Sequence, residues 1–314
     1  MTERDLSPPM RELAWSLWTE LGVPGGVRNH RNVALDIEPL IVISPLLFEH
    51  DPRLRDQCLL WCAAHSSRVS LSRLRGLLRR SNALAREAFE PFSATLRLHA
   101  GLRWPLGDTG EAWPRMPDGQ PPRLPLARPA LLQLRLRALC GVGARADVLR
   151  ALLAHEARWI RVSDLNEEGY SKRNVALILS ELAAAGFADS HLDGNAQRFR
   201  LSRPGAVSTL AQADELTFPR WAVITELLLV AVQLSALASR SASVRRVKAN
   251  TLRDRLKPIA DQLALTPPPV TRGVAETWEL TLKWTHLQLS ELAAGRSPAL
   301  QLSPPPRQRL PEVS

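Results

Sequence analysis

The sequence has few of the residues and motifs that mark secreted proteins. Three cysteines in 314 residues are too few for a disulfide framework, and one of them is necessarily unpaired. The first nine residues are polar and include two prolines, so they do not resemble a secretory signal. These absences predict a cytoplasmic protein in a reducing compartment.

Motifs for catalysis and cofactor binding are also missing. The sequence has no GK[ST] phosphate loop, no G-x-G-x-x-G fingerprint and no paired-carboxylate motif, and its seven histidines are scattered. Cys58 and Cys62 are spaced i, i+4 with no second ligand pair nearby, whereas a structural zinc site needs four ligands. We therefore interpret both as buried structural cysteines. We therefore predict that the protein is not an enzyme and that it binds neither a cofactor nor a metal ion.

The charge balance is strongly basic. Lys and Arg number 41 against 31 Asp and Glu, which gives a formal net charge of +10 and a pI near 10.7. Most of these cations are arginines, whose guanidinium group suits bidentate contacts with phosphate and guanine. A basic balance fits a polyanionic partner, either nucleic acid or an anionic membrane surface. A composition of the kind that GC-rich coding sequence produces explains part of the excess.

One apolar run has about the length of a short membrane span. Residues 221–238 are almost continuously apolar, but Glu226 and Gln233 interrupt them near the middle. An ionised carboxylate at the bilayer centre is costly. We therefore expect a core or oligomerisation helix, and no membrane partner.

Composition divides the chain into five segments. Helical spacing of apolar residues marks the two flanking regions, and ten prolines and glycines break the pattern between them. The predicted segments are an N-terminal helical domain (1–103), a Pro/Gly-rich linker (104–129), a central domain (130–203), a C-terminal helical region (204–296) and a disordered Pro-rich tail (297–314).

The central domain carries the most informative pattern. An amphipathic helix follows Gly143, a short helix covers 163–168, and Ser171 can cap a third helix over Lys172–Ala185. The sequence Asp-Gly-Asn at 193–195 then predicts a hairpin, with Phe187, Phe199 and Leu201 facing inward and the arginines outward. This order is that of a winged helix–turn–helix. The predicted fold is mainly α, with a central winged helix–turn–helix, a small β-hairpin wing and flanking helical segments.

The third helix should read DNA. Its first turn combines free backbone N–H groups, which favour phosphate, with side chains that pair with base edges: Asn with adenine and Arg with guanine. The wing arginines should follow the backbone or enter the minor groove. The predicted DNA-binding residues are Ser171, Lys172, Arg173, Asn174, Arg198 and Arg200.

Two basic clusters lie outside this domain. The first is interpreted as a solvated helix face and comprises Arg68, Arg73, Arg75, Arg79 and Arg80. The second is either a solvated face or an extension of the DNA footprint along the backbone, and it comprises Arg240, Arg245, Arg246, Lys248, Arg253, Arg255 and Lys257. Its candidate contacts are Arg245, Arg246 and Lys248.

The residues from Gly141 to Arg145, from Tyr170 to Val175 and from Leu179 to Leu182 resemble the winged-helix domains of bacterial MarR- and ArsR-type regulators. The resemblance covers about a fifth of the chain. It implies that the helix after Ser171 is a recognition helix and that binding occurs as a dimer. The long additions at both ends depart from that family. In size and helical additions, the chain is also similar to winged-helix antitoxins of nucleotidyltransferase-like toxins.

The sequence thus predicts a regulator that reads double-stranded DNA, as a homodimer formed through residues 219–239 or 274–294. The alternative is a winged-helix protein-interaction module, such as an antitoxin that neutralises a partner toxin enzyme, with DNA contact secondary or absent. Three glutamates in the central domain, Glu167, Glu168 and Glu181, are unfavourable for DNA binding and favour this alternative.

Overall fold

The computed structural model describes residues 5–155, 158–168, 170–203, 209–210, 215–270 and 273–301. These residues are mainly helical and include one small antiparallel sheet. The α-helices are α1 (Ser7–Glu20), α2 (Ile37–Ile43), α3 (Pro52–His65), α4 (Leu71–Arg80), α5 (Ala83–Ala100), α6 (Leu132–Cys140), α7 (Ala144–His155), α8 (Lys172–Ala184), α9 (Trp221–Ala238), α10 (Ala242–Gln262) and α11 (Val274–Ala293). The strands are β1 (Ile160–Arg161), β2 (Ala188–Asp193) and β3 (Ala196–Leu201).

Local sequence explains where several helices begin and end. The Asp51 carboxylate accepts the backbone N–H of Leu54 at 2.9 Å, and the Asn82 side chain caps α5 in the same way. Gly101 ends α5 with φ of 69°. Pro258 lies inside α10, and the helix continues through it to Gln262.

The N-terminal and C-terminal helices share one hydrophobic core. The cluster contains buried residues of α1 to α5 together with those of α9, α10 and α11. Helix α11 packs against α1, and there the Asn29 side chain donates to the carbonyl of Ala293 at 2.8 Å. We call this assembly the helical body. The sequence analysis predicted these helices as two separate segments, 1–103 and 204–296. Contacts between residues so far apart in the chain leave no local pattern in the sequence.

A second core lies between them in the chain. It is built from the buried side chains of α6, α7, α8 and the sheet, including Leu152, Ile160, Leu179 and Phe199. Helix α6 contributes to both cores, since Leu134 belongs to the helical body and Leu136 to the second core. We call the second assembly, residues 132–218, the central unit.

The sheet of the central unit has the order β1-β3-β2 and is antiparallel throughout. Gly194 and Asn195 join β2 to β3, and Gly194 has φ of 60°, which agrees with the predicted hairpin turn. Phe199 and Leu201 are buried as expected. The expectation for Phe187 was wrong: it precedes β2 and is 64% exposed.

The chain enters and leaves the central unit at adjacent points of the helical body. The backbone N–H of Leu35 donates to the carbonyl of Ala130 at 2.9 Å, on the entering side. The N–H of the preceding residue, Ala34, donates to the carbonyl of Thr217 at 2.8 Å, on the leaving side.

All of the Pro/Gly-rich segment 104–129 is described, and it contains no α-helix or strand; its last residue begins the 3-10 turn Pro129–Leu131. It packs on the helical body through Trp104, which is buried, and through Trp113, whose ring centre lies 6.1 Å from that of Phe48. In the Pro-rich tail, Pro298–Leu300 form a 3-10 turn with Leu300 buried, while residues 302–314 lie outside the described part.

Candidate nucleic-acid interface

The first turn of α8 projects polar and basic side chains into solvent. The Ser171 hydroxyl accepts the backbone N–H of Asn174 at 3.3 Å and so caps the helix, as its sequence predicted. Lys172, Arg173 and Asn174 are all exposed. Behind them α8 buries Val175, Ile178 and Leu179 in the core of the central unit, so this turn is presented by a fixed helix.

The hairpin arginines are bound by carboxylates of their own sheet. Arg198 forms an ion pair with Asp193 and its side chain is only 19% exposed, so it points outward less than expected. Arg200 donates from Nε to Asp189 at 3.1 Å and is 42% exposed. Hydrogen bonds from Ser202 and Arg200 hold the pKa of Asp189 below its usual value.

Three further residues extend this surface, and sequence reasoning missed them. The guanidinium of Arg200 lies 4.5 Å from the centre of the Trp159 ring, and the His191 ring stands edge-on to the same indole at 4.2 Å. Arg161, on β1, also approaches Asp193, at 3.5 Å. The pairing of β1 with β3 brings these residues together, and the two-residue strand β1 was too short to predict that pairing.

The candidate contacts of the second basic cluster lie on α10. Lys248 is exposed, whereas Arg245 is half-buried with its guanidinium 5.9 Å from the Trp278 ring centre. The side chain of Arg246 lies outside the described residues. Of the three candidate contacts, Lys248 is thus the one whose described side chain is most open to solvent.

The first basic cluster is not a uniform solvated face. Arg75, Arg79 and Arg80 are exposed, but Arg73 is 6% exposed and belongs to a buried group of charges. That group, the buried charge network, joins the helical body to the central unit. Its ionic members are Asp36, Glu38, Arg73, Arg137, Asp147 and Arg150, three carboxylates and three guanidinium groups.

Arg137 is the centre of the network and is fully buried. It donates to the Glu38 carboxylate at 2.6 and 3.0 Å and to the Asp147 carboxylate at 3.0 and 3.2 Å. Burial alone would lower the pKa of Arg137, but Glu38 and Asp147 outweigh it and raise the pKa above its ordinary value. Burial would likewise raise the pKa of Asp36, yet Arg73 and Arg150 hold it well below the usual range.

The network ends on Tyr170, the residue before the cap of α8. Its hydroxyl donates to Asp147 Oδ2 at 2.7 Å and lies 3.4 Å from Ser70 Oγ, the cap of α4. Burial and the Asp147 charge raise the pKa of Tyr170 well above its ordinary value. The residue before the cap of α8 is therefore bonded to both units through partly buried contacts.

Cys58 and Cys62 lie in the core of the helical body. Burial raises the pKa of both the Cys58 and Cys62 thiols, which are fully buried, as predicted for structural cysteines. No group of three His, Cys, Asp or Glu side chains that could hold a metal ion occurs within the described ranges.

Helix α9 is long and apolar enough to cross a membrane by length and composition. It is the one such helix in the part of the chain that the structure describes, and 56% of its residues are buried inside the protein. Its Ile224, Leu227 and Val230 lie in the core of the helical body. The packing is that of a core helix, one of the two roles expected for it.

Comparison of the chain with protein-family models, with curated proteins and with solved structures found no match.

Proposed function

We propose that the chain is a sequence-specific transcriptional regulator that binds duplex DNA through a winged helix–turn–helix in the central unit. Helix α7, the 3-10 turn Val162–Glu168, α8 and the β2–β3 hairpin follow one another in the order of that motif. In this proposal α8 is the recognition helix and the hairpin is the wing.

The single observation that carries the proposal is the exposed first turn of α8. Lys172 and Arg173 have no ion-pair partner among the described residues, and Asn174 stands beside them. A duplex would meet cations, an amide that pairs with adenine and the free N–H groups of a helix N-terminus. Leu177, one turn on and 58% exposed, can contact a thymine methyl group.

The wing supplies phosphate contacts in this proposal. Arg198 and Arg200 are held by Asp193 and Asp189, so binding requires each arginine to exchange a carboxylate for a phosphate. The Arg200–Asp189 pair is exposed on both sides, and an exposed ion pair is worth only about 0–1 kcal/mol, so this exchange costs little. We therefore assign these two arginines to backbone contact, with Arg161 beside them, and the reading of bases to α8.

Homodimer formation stays part of the proposal, but on another surface. The two segments expected to form the dimer correspond to α9 and α11. Apolar side chains of both helices are buried within the same chain, among them Ile224, Leu227, Trp278, Leu282 and Leu289. These side chains are not available to a second copy, which would have to bind through exposed residues.

The test compares binding of the full chain to DNA from upstream of its own gene and to a scrambled duplex, across a salt series. We expect tighter binding to the upstream fragment and a steep loss of affinity as salt rises. Arg173→Ala and Asn174→Ala should weaken binding to the upstream fragment, by about 1–3 kcal/mol for a residue that reads a base. The matched control is Arg103→Ala, which removes an exposed charge from the residue just before segment 104–129. This variant should bind DNA like the wild type.

Thermal unfolding of each variant separates a lost contact from a lost fold. Both α8 side chains are exposed, so neither substitution should change stability much. If wild-type protein binds neither duplex at about 100 mM salt, where phosphate contacts still count, the proposal fails.

Two exposed apolar residues favour a second candidate function, the protein-interaction module. Leu177 and Phe187 are 58% and 64% exposed, on α8 and just after it, and could contact a partner such as a toxin enzyme. Under this alternative, Leu177→Asp should abolish the partner complex. Arg173→Ala should then have a smaller effect on the complex than Leu177→Asp.

A further inference from the structure

The stretch that contains α4 is the most one-sidedly charged part of the chain. Residues 57–86 contain six arginines and no aspartate or glutamate. One of them, Arg73, is neutralised in the buried charge network, and Arg86 donates to the carbonyl of Ser81 at 2.5 Å. Three others, the α4 arginine cluster, are exposed and form no ion pair with any described residue: Arg75, Arg79 and Arg80.

This cluster begins close to the first turn of α8. Ser70, the cap of α4, lies 3.4 Å from the Tyr170 hydroxyl, and Tyr170 directly precedes the cap of α8. At about 1.5 Å of rise per residue, Arg75 and Arg79 lie about 7 and 14 Å along α4 from Ser70. The major groove is about 12 Å wide, so along α4 the two arginines lie within about one groove width of the contact between Ser70 and Tyr170.

Buried ion pairs fix the relation between the two helices. Arg73 of α4 donates to Glu38 at 2.9 Å and pairs with Asp36, while Tyr170 donates to Asp147 at 2.7 Å. The network carboxylates Glu38 and Asp147 are bridged in turn by Arg137. Moving α4 relative to the start of α8 would break charge pairs away from water, which is costly. The exposed arginines are therefore presented at a constant distance from α8.

We propose that the α4 arginine cluster is a second DNA contact, made to the phosphates that flank the segment read by α8. The inference rests on the proposed function and extends it from the central unit to the helical body. A guanidinium fork matches phosphate oxygens in a bidentate manner. Contacts of this kind position the protein and strengthen binding, but they carry no sequence information.

The test is the double variant Arg75→Ala/Arg79→Ala in the full chain. Its affinity should fall for the upstream fragment and for the scrambled duplex by the same factor, because only backbone contacts are lost. The slope of log affinity against log salt should become shallower by about two, about one for each phosphate contact removed. Arg75→Lys/Arg79→Lys keeps both charges and should restore most of the slope.

The control variant, Arg103→Ala/Arg115→Ala, removes the same charge from exposed positions outside α4 and should leave the slope unchanged. If Arg173→Ala weakens binding while the α4 double variant binds like wild type, the inference is overturned and the proposed function stands. A shallower slope in the control as well would assign the effect to net charge and would also overturn it. If wild type binds no DNA, both proposals fail.

Discussion

Replacing Arg137 by methionine should be among the most damaging single changes to this chain. Its side chain is fully buried and contacts Glu38, Asp147 and the carbonyl of Arg68. Methionine has a similar length but cannot donate, so three carboxylates would face two guanidinium groups in the buried network.

The magnitude follows from that imbalance. Removing one partner of a buried ion pair costs about 3–5 kcal/mol, because the remaining charge is left uncompensated. Domains are stable by only about 5–15 kcal/mol, so the loss is a large fraction of the total. At about 2 °C for each kcal/mol, the midpoint of thermal unfolding should fall by about 6–10 °C.

Urea unfolding followed by circular dichroism measures the loss directly. Arg145→Met is the control, since Arg145 pairs with Glu181 at an exposed site where an ion pair is worth about 0–1 kcal/mol. The double variant Glu38→Met/Arg137→Met restores the charge balance and should be more stable than Arg137→Met alone. If Arg137→Met costs no more than Arg145→Met, the network does not stabilise the fold in the way argued.

Three further outcomes are expected. His30 is buried, with Nδ1 2.8 Å from Ser16 Oγ and Nε2 2.9 Å from the carbonyl of Leu292, and burial lowers its pKa. As the pH falls, this histidine is therefore protonated in the unfolded chain before it is protonated in the folded one, and stability should decline below about pH 6.5. Thermal unfolding between pH 8 and pH 5 measures the decline. His30→Gln should show a smaller one. In a thiol assay with Ellman's reagent, Cys140 should react in the native protein, whereas Cys58 and Cys62 should react only after denaturation. Rapid labelling of more than one thiol in the native protein would contradict the packing. Ser171→Ala should cost about 1 kcal/mol in urea unfolding while Ser171→Asp keeps the cap, and equal stability of the two variants would argue against the capping role.

Sequence patterns predicted the local features of the central unit best. The cap at Ser171, the inward side of α8 and the turn at Gly194 depend on residues within one turn of helix or one hairpin. Phe187 was placed wrongly because its neighbour Ala188 is the residue that faces the core, and successive residues of an extended chain point to opposite faces.

Long-range contacts were the part that the sequence could not predict. Glu38 and Arg137 are 99 residues apart in the sequence. No residue close to either one in the chain indicates that its charge is buried or which residue pairs with it. The same holds for Asn29 and Ala293, whose contact joins the two ends of the helical body. Arg73 shows the consequence: within an arginine-rich helix it looked like one more solvated cation, and only its burial beside Asp36 sets it apart.

The neighbouring hydrogen bonds at Ala34 and Leu35 give the chain the topology of a domain insertion. Successive Cα atoms are about 3.8 Å apart, so the carbonyls of Ala130 and Thr217, held by two adjacent N–H groups, lie close enough for a short glycine linker to join them. The whole intervening stretch is in effect a loop whose ends meet, the arrangement at which excision and transplantation of a unit are best tolerated. The two units are nevertheless not independent, because removing the central unit would leave Glu38 and Arg73 of the helical body without Arg137 and Asp147, their buried partners.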